Sequence, residues 1–472
     1  MMTRDDTTHT EVAIVGAGTA GYVAGIRAGQ LGLDATLIEA GEFGGTCLNA
    51  GCIPSKALIH ATDVAHEAAN AEEMGVHADP SVEFEEMVAW KDDVVDTLTG
   101  AVQKLNKANG VTLVEGTATF EDEHALSVDL LEGGTEHYEF ENALIATGSR
   151  PIEVPGFEFD GEHVLSSRDA LALDAVPEEL VVVGAGYIGM ELSMVFAKLG
   201  ADVTVVEMLD EMLPGYDRDL TQPVKDRAEE LGIDFAFGEA ASDWSETAAG
   251  VTVETENEDG DISEFDAEKA IVAVGREPVT DSANIEALGL EPNEKGFIET
   301  DEQCRTDVAH VFAAGDVAGE PLLAHAGSAA GEVAVETIAG GDATMADRPI
   351  PAAIFTEPEI AMVGLSEQEA EEAGYGTRIG EFPLRSSGRA LTMDQEAGFV
   401  RIVADADSGT VLGGRAVGPK ASEVIAEIGL AVQTGTTVEE IAETVHTHPT
   451  LSESTMEAAQ NALGHAIHTL NR

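Results

Sequence analysis

The sequence predicts an α/β chain with two nucleotide-binding units, closed by an α+β segment, and three observations predict it. The stretch EVAIVGAGTAGYVAGIRAGQLGLDATLIEA near the start reads strand, glycine turn, helix, strand. Residues 180–208, LVVVGAGYIGMELSMVFAKLGADVTVVEM, repeat that grammar. From about Pro351 the pattern changes to strand-like GFVRIV and TVLGGRAVG, then helix-like ASEVIAEIGLAVQTG and a terminal helix after Thr450. A chain of 472 residues exceeds a single core, so several packed domains are expected.

In the first unit an apolar β-branched run meets Gly16, Gly18 and Gly21. Gly16 allows the tight turn, Gly18 lets the backbone approach a pyrophosphate, and Gly21 lets the helix pack on its strand. The helix N-terminus adds free N–H groups and a positive dipole. The second strand ends in an acid, Glu39. The second unit puts Gly184, Gly186, Gly189 and Glu207 in the same places. One GxGxxG is weak evidence; two, each with strand context and a terminal acid, define a dinucleotide-binding βαβ unit that occurs twice. A carboxylate at Glu207 accepts ribose hydroxyls and repels a 2′-phosphate, and Met208, Leu209 and Asp210 offer no cation. NAD is therefore favoured over NADP.

Two shorter signals, ALIATGSRPIEVPG (143–156) and HVFAAGDVAG (310–319), are apolar strands leading to glycine turns. They read as strands returning to the first unit, which makes that domain discontinuous with the second unit inserted. IVAVGREPVT (271–280), which contains Gly275, closes the insert. The division is 1–150 and 281–350 for the first nucleotide domain, 151–280 for the second, and 351–472 for an assembly domain.

Acidic residues number 89 against 24 basic, a formal charge of −65, scattered along a chain that is 44% hydrophobic. That is an acidic shell on a folded protein rather than a disordered chain. It repels nucleic acid and anionic lipid, and it self-repels unless salt screens it, so adaptation to very high intracellular salt is inferred. MMTRDDTTHTEVAIVGAG shows no signal architecture, and no stretch approaches the ~20 apolar residues of a membrane span. Three cysteines, Cys47, Cys52 and Cys304, cannot build a secreted disulfide framework, so a cytoplasmic protein is expected.

The most informative stretch is GGTCLNAGCIPSKALIHAT, beginning at Gly44. Four residues separate Cys47 from Cys52, which brings the sulfurs together if a helix starts around them. Lys56 falls on the same helical face as Cys52, and Pro54 lies near the first turn, where its missing N–H costs little. A helix N-terminus and a lysine both favour thiolate. A zinc pair would need two further close ligands that the sequence does not offer, so no metal is expected. Cys304 has no thiol or histidine nearby and reads as a small buried residue.

These stretches, with HTHPTLSE at 446–453, resemble the pyridine nucleotide-disulfide oxidoreductases, and the resemblance runs over nearly the whole chain. It implies two Rossmann-like domains, for FAD and for NAD, plus a C-terminal α+β dimerisation domain. It implies that Cys52 meets the flavin while Cys47 exchanges with substrate, and that Lys56 pairs with Glu191 near the flavin. Glu39 would hold the FAD ribose, Ala118 would contact the adenine side, and Thr147, Gly148, Asp316 and Ala324 would lie along the cofactor. Gly275 is assigned to cofactor binding. The resemblance selects His448 as base, oriented by Glu453, reaching the other subunit's site in a homodimer; the residues alone do not separate His448 from His446. Dithiol oxidation itself requires a base. Within the family the wording looks like enzymes that oxidise protein-bound dihydrolipoyl groups, as in a 2-oxoacid dehydrogenase complex or the glycine cleavage system. The alternative is an NAD(P)H-dependent reductase of low-molecular-weight disulfides.

Overall fold

The structure, a computed structural model, describes residues 7–346 and 348–471. The polar segment read at residues 1–6 lies outside them. The strand Thr7–Val15 carries the run Val12–Val15 buried on both faces, as a strand covered by helices on each side must be. It pairs in parallel with Ala35–Glu39 on one side and Thr135–Ile145 on the other. Thr112–Asp122 extends the sheet in parallel beyond Ala35–Glu39, and Val311–Ala313 beyond Thr135–Ile145. The two long strands run on into an antiparallel ribbon with Ala125–Leu130 between them. The helix Thr19–Leu31 packs on Ala324–Ile338 through small residues: a Cβ on Gly331 would stand 2.3 Å from the Ala20 carbonyl oxygen.

A second, wholly parallel sheet has the order Asp234–Phe237, Asp202–Glu207, Glu179–Val183, Lys269–Val272, Val164–Leu165. A three-stranded antiparallel sheet, Glu239–Glu246, Val251–Asn257 and Ile262–Ala267, joins its last strands. The chain passes between the two sheets twice, side by side: Ser149–Pro151 pairs antiparallel with Arg276–Pro278. The first sheet therefore draws on residues before and after the second, as the returning strands in the sequence require.

The C-terminal segment forms a five-stranded sheet in the order Ala352–Ile354, Glu359–Gly364, Val411–Gly418, Phe399–Asp405, Thr377–Pro383. The helices Ala421–Thr434 and Glu453–Ala462 bury Ile425, Ile428, Ala458 and Ala459 in its core. One further core fixes the site. Leu58, on the helix Cys52–Ala69, shares a cluster with Met190 and Met194 of the second unit and with Ile354, Phe399 and Val417 of the C-terminal sheet. The cysteine-bearing helix is thus held from two sides. Truncating Leu58, which is 1% exposed, to alanine costs about 2–5 kcal/mol. Among the described residues no helix is long and apolar enough to cross a membrane.

Candidate active site

The two glycine loops are built alike. A Cβ on Gly16 would stand 2.3 Å from the Ala146 carbonyl oxygen, and one on Gly21 1.8 Å from the Gly16 carbonyl oxygen. In the second loop the clashes are 2.7 Å for Gly184 on Ala273 and 2.0 Å for Gly189 on Gly184. The middle glycines differ: a Cβ on Gly18 or Gly186 would meet nothing within 4 Å. The first and third glycines are therefore demanded by the fold, whereas the middle ones keep space clear at helix N-termini, where a pyrophosphate fits.

The terminal acids brace these loops. Glu39 accepts hydrogen bonds from the Ala17 N–H (2.6 Å) and the Gly41 N–H (2.7 Å). Glu207 accepts from the Ala185 N–H (2.7 Å) and the Leu209 N–H (3.0 Å). Sequence reasoning gave both carboxylates only a ribose; the structure adds that each ties its strand end to its glycine loop.

A cavity of about 470 Å³ runs from the first loop to the cysteines. Gly16, Gly18, Glu39, Cys47, Cys52, Lys56, Ala118, Thr147, Gly148, Glu191, Asp316 and Ala324 all line it. Gly21 sits beneath the loop; Gly184, Gly186 and Gly189 of the second loop and its helix, Glu207 at the end of Asp202–Glu207, and Gly275 between Lys269–Val272 and Arg276–Pro278 lie outside this cavity. Tyr187 and Ile188, at the start of the second unit's helix, also face the cavity, so the two nucleotide units meet there. Sequence reasoning missed a clamp across the chain crossing. Arg276 donates from Nε to Ser149 Oγ (2.8 Å) and from Nη2 to the Ser149 carbonyl (2.6 Å), and Ser149 Oγ donates to Asp316 (2.5 Å). All three residues lie in segments singled out above, but no spacing rule links them.

The cysteines occupy two helices, not one. Cys47 lies in Gly45–Ala50, and Cys52 opens Cys52–Ala69. Gly51 breaks the helix between them with φ −145° and ψ −114°, which lets the second helix start afresh at the second thiol. Both are free thiols. The Cys52 thiol is lowered to about 6, first by the hydrogen bond from Cys47 and then by Lys56, against partial desolvation and the Glu191 charge. Cys47 moves upward, because its S–H is engaged by Cys52 and because it is partly desolvated. Lys56 Nζ lies 2.7 Å from Glu191 Oε2, whose carboxylate is nearly buried.

His448 Nδ1 lies 2.9 Å from Glu453 Oε1, and the Thr450 N–H binds the other carboxylate oxygen at 2.8 Å. The His448 side chain is 79% exposed and does not line the dithiol cavity of its own chain. His446 is 7% exposed and engaged at both nitrogens, by Glu427 and by the Thr444 carbonyl. Exposure thus separates the two histidines that spacing did not. Cys304 is 4% exposed, and its thiol is pushed up to about 12 by burial and by Asp301. Among the described residues no group of His, Cys, Asp and Glu is arranged to hold a metal.

A dinucleotide-type cavity that ends at a thiol pair, met by the helix of a second dinucleotide-type unit, defines a class of redox protein, and comparison with known proteins gives the family. Residues 10–331 match the pyridine nucleotide-disulphide oxidoreductase family, and residues 350–459 match its dimerisation domain. The chain belongs to this family. It is 59% identical to the dihydrolipoyl dehydrogenase of Halobacterium salinarum, with each chain covered in full, and 44% identical to that of Geobacillus stearothermophilus, again over the full length of both. LpdA from Mycobacterium tuberculosis superposes with a TM-score of 0.90 at 30% identity, over 96% of this chain and 99% of that one. The HOCl-induced flavoprotein disulfide reductase RclA from Escherichia coli gives 0.84 at 26% identity, over 95% and 99%.

Proposed function

We propose that this chain is an NAD-linked dihydrolipoyl dehydrogenase that works as a homodimer in a salt-rich cytoplasm and oxidises the dihydrolipoyl group of a carrier protein. The observation that carries the reading is the thiol pair with Lys56 and Glu191 at one end of the dinucleotide cavity. The full-length likeness to dihydrolipoyl dehydrogenases supports the substrate, and the −65 charge with a halobacterial relative supports the habitat. The division at 150, 280 and 350 belongs to the same reading.

FAD suits the cavity, because its glycine cradle stays clear at Gly18 and its walls carry Glu39, Ala118, Thr147, Gly148, Asp316 and Ala324. NAD suits the second loop, clear at Gly186 and braced by Glu207, and Gly275 is assigned to cofactor binding in the same reading. Bound FAD supplies the route by which an electron pair leaves Cys52 for NAD.

The protein's own steps follow from thiol chemistry. His448 of the partner subunit, held by its Glu453 neighbour, takes the proton of one substrate thiol. The resulting thiolate attacks Cys47 of the oxidised pair, forming a mixed disulfide and breaking the Cys47–Cys52 bond, and Cys52 leaves as thiolate. The second substrate thiol attacks the first substrate sulfur, closing the lipoyl ring and releasing Cys47, which takes a proton. The substrate has lost two electrons and the protein pair has gained them. Lys56 stabilises the Cys52 charge throughout, and Glu191 holds Lys56.

The test is NAD reduction by free dihydrolipoamide in multimolar KCl, with NADP in parallel. Fast turnover with NAD and little with NADP is expected. A flavin-loaded protein that instead reduces small disulfides with NADPH, and ignores lipoamide, supports the reductase alternative.

A further inference from the structure

We propose that Phe355 is a positioning residue of the redox centre: its ring and its backbone N–H hold the Lys56–Glu191 pair beside Cys52. The proposal rests on the role given above to the Cys52 thiolate. Lys56 Nζ stands 4.6 Å from the centroid of the Phe355 ring, within the range of a cation–π contact. The Phe355 N–H donates to Glu191 Oε1 at 2.9 Å, while Glu191 Oε2 takes the Lys56 ammonium at 2.7 Å. One residue therefore touches both members of the pair, and each carboxylate oxygen has a fixed partner.

Phe355 is itself held. Ile354 before it is 2% exposed and belongs to the core shared with Leu58 and Met194. Glu357 after it gives its N–H to Met194 Sδ at 3.2 Å, and its carboxylate is bound by Lys198 and Arg227. Phe355 and Glu357 are thus fastened to Glu191 and Met194, three residues apart on the helix Tyr187–Lys198. Phe355 also lies within the segment that matches the dimerisation domain. That segment consequently serves the redox centre of its own chain, apart from the base it is proposed to lend to the other subunit.

The physical consequence is specific. Lys56 lowers the Cys52 thiol and Glu191 raises it, so the thiolate depends on where the ammonium sits between them. A lysine stem has four rotatable bonds, and the ring face limits where its end settles.

The test uses flavin-loaded full-length protein in a Cys47→Ser background, so that Cys52 is the reactive thiol of the site. The pH dependence of Cys52 alkylation by iodoacetamide is measured for Phe355→Leu, Phe355→Met and Phe355→Tyr, each with and without Lys56→Gln. Loss of the aromatic face is expected to raise the midpoint by roughly half to one pH unit, and Tyr to leave it unchanged. In the Lys56→Gln background the Phe355 changes should shift nothing, because the effect passes through Lys56. An unmoved midpoint in Leu and Met variants that keep flavin overturns the proposal and leaves the functional reading intact. An equal shift with and without Lys56 also overturns it, since that marks a general structural effect. In reduced protein that keeps Cys47, a Cys52 that titrates at the ordinary thiol pH overturns the thiolate reading, and this proposal with it.

Discussion

His448 Nδ1 lies 2.9 Å from Glu453 Oε1, with its ring 79% exposed, while His446 two residues earlier is buried against Glu427. One imidazole is oriented and presented outward; the other is used up inside its own domain. His448→Gln is expected to lower dihydrolipoamide turnover on the order of 10²–10⁴-fold, and Glu453→Gln by less, since the base remains. Steady-state kinetics in multimolar KCl checks both. Co-refolding the Cys47→Ser and His448→Gln chains should restore roughly a quarter of normal activity: half of random dimers are mixed, and each has one intact site of two. No recovery is expected if each site is built from one chain.

The Cys52 thiol is depressed to about 6, so it is thiolate above that pH and loses its charge as pH falls through it. The ultraviolet thiolate absorption of the reduced enzyme should therefore appear with a midpoint near 6. Lys56→Met removes a lowering charge and leaves Glu191 unopposed, so the midpoint should move up by about one unit or more.

Gly186 and Gly184 should fail differently. Gly186 has φ −70° and ψ 176°, open to alanine, and its would-be Cβ meets nothing within 4 Å; Gly184 has φ +103° and a carbonyl 2.7 Å from the would-be Cβ. Gly186→Ala should fold, keep its flavin and raise the KM for NAD by about tenfold or more, the cost of a methyl where a ligand must lie. Gly184→Ala should lose stability instead. Thermal melts and NAD saturation curves separate the two.

The charge of −65 predicts salt dependence. Lowering KCl from about 1 M to about 0.1 M lengthens screening from roughly 3 Å to roughly 10 Å. The Tm should fall by several degrees or more, and sucrose of equal osmolarity should not restore it, because the deficit is electrostatic.

The sequence made the fold legible where the signals are local. Gly16, Gly18 and Gly21 with their flanking strand are read within a few residues, and so is the Cys47–Cys52–Lys56 order. What escaped reading was set by distance along the chain. Ser149 and Arg276 meet only because the chain crosses between sheets side by side. Phe355 reaches Lys56 only because the C-terminal sheet packs against the helix that carries it. The break at Gly51 escaped for another reason: φ −145° and ψ −114° are backbone values that glycine permits but does not announce. The choice between His446 and His448 depended on burial, to which a periodicity of two is blind.

The most direct test is rapid mixing of oxidised, flavin-loaded Cys47→Ser protein with dihydrolipoamide and, separately, with NADH, following the flavin absorbance. If electrons from the substrate enter through Cys47 and Cys52, dihydrolipoamide should leave the flavin oxidised while NADH still bleaches it. Bleaching by dihydrolipoamide at the wild-type rate would contradict the account, because the substrate would then reach the flavin without the thiol pair.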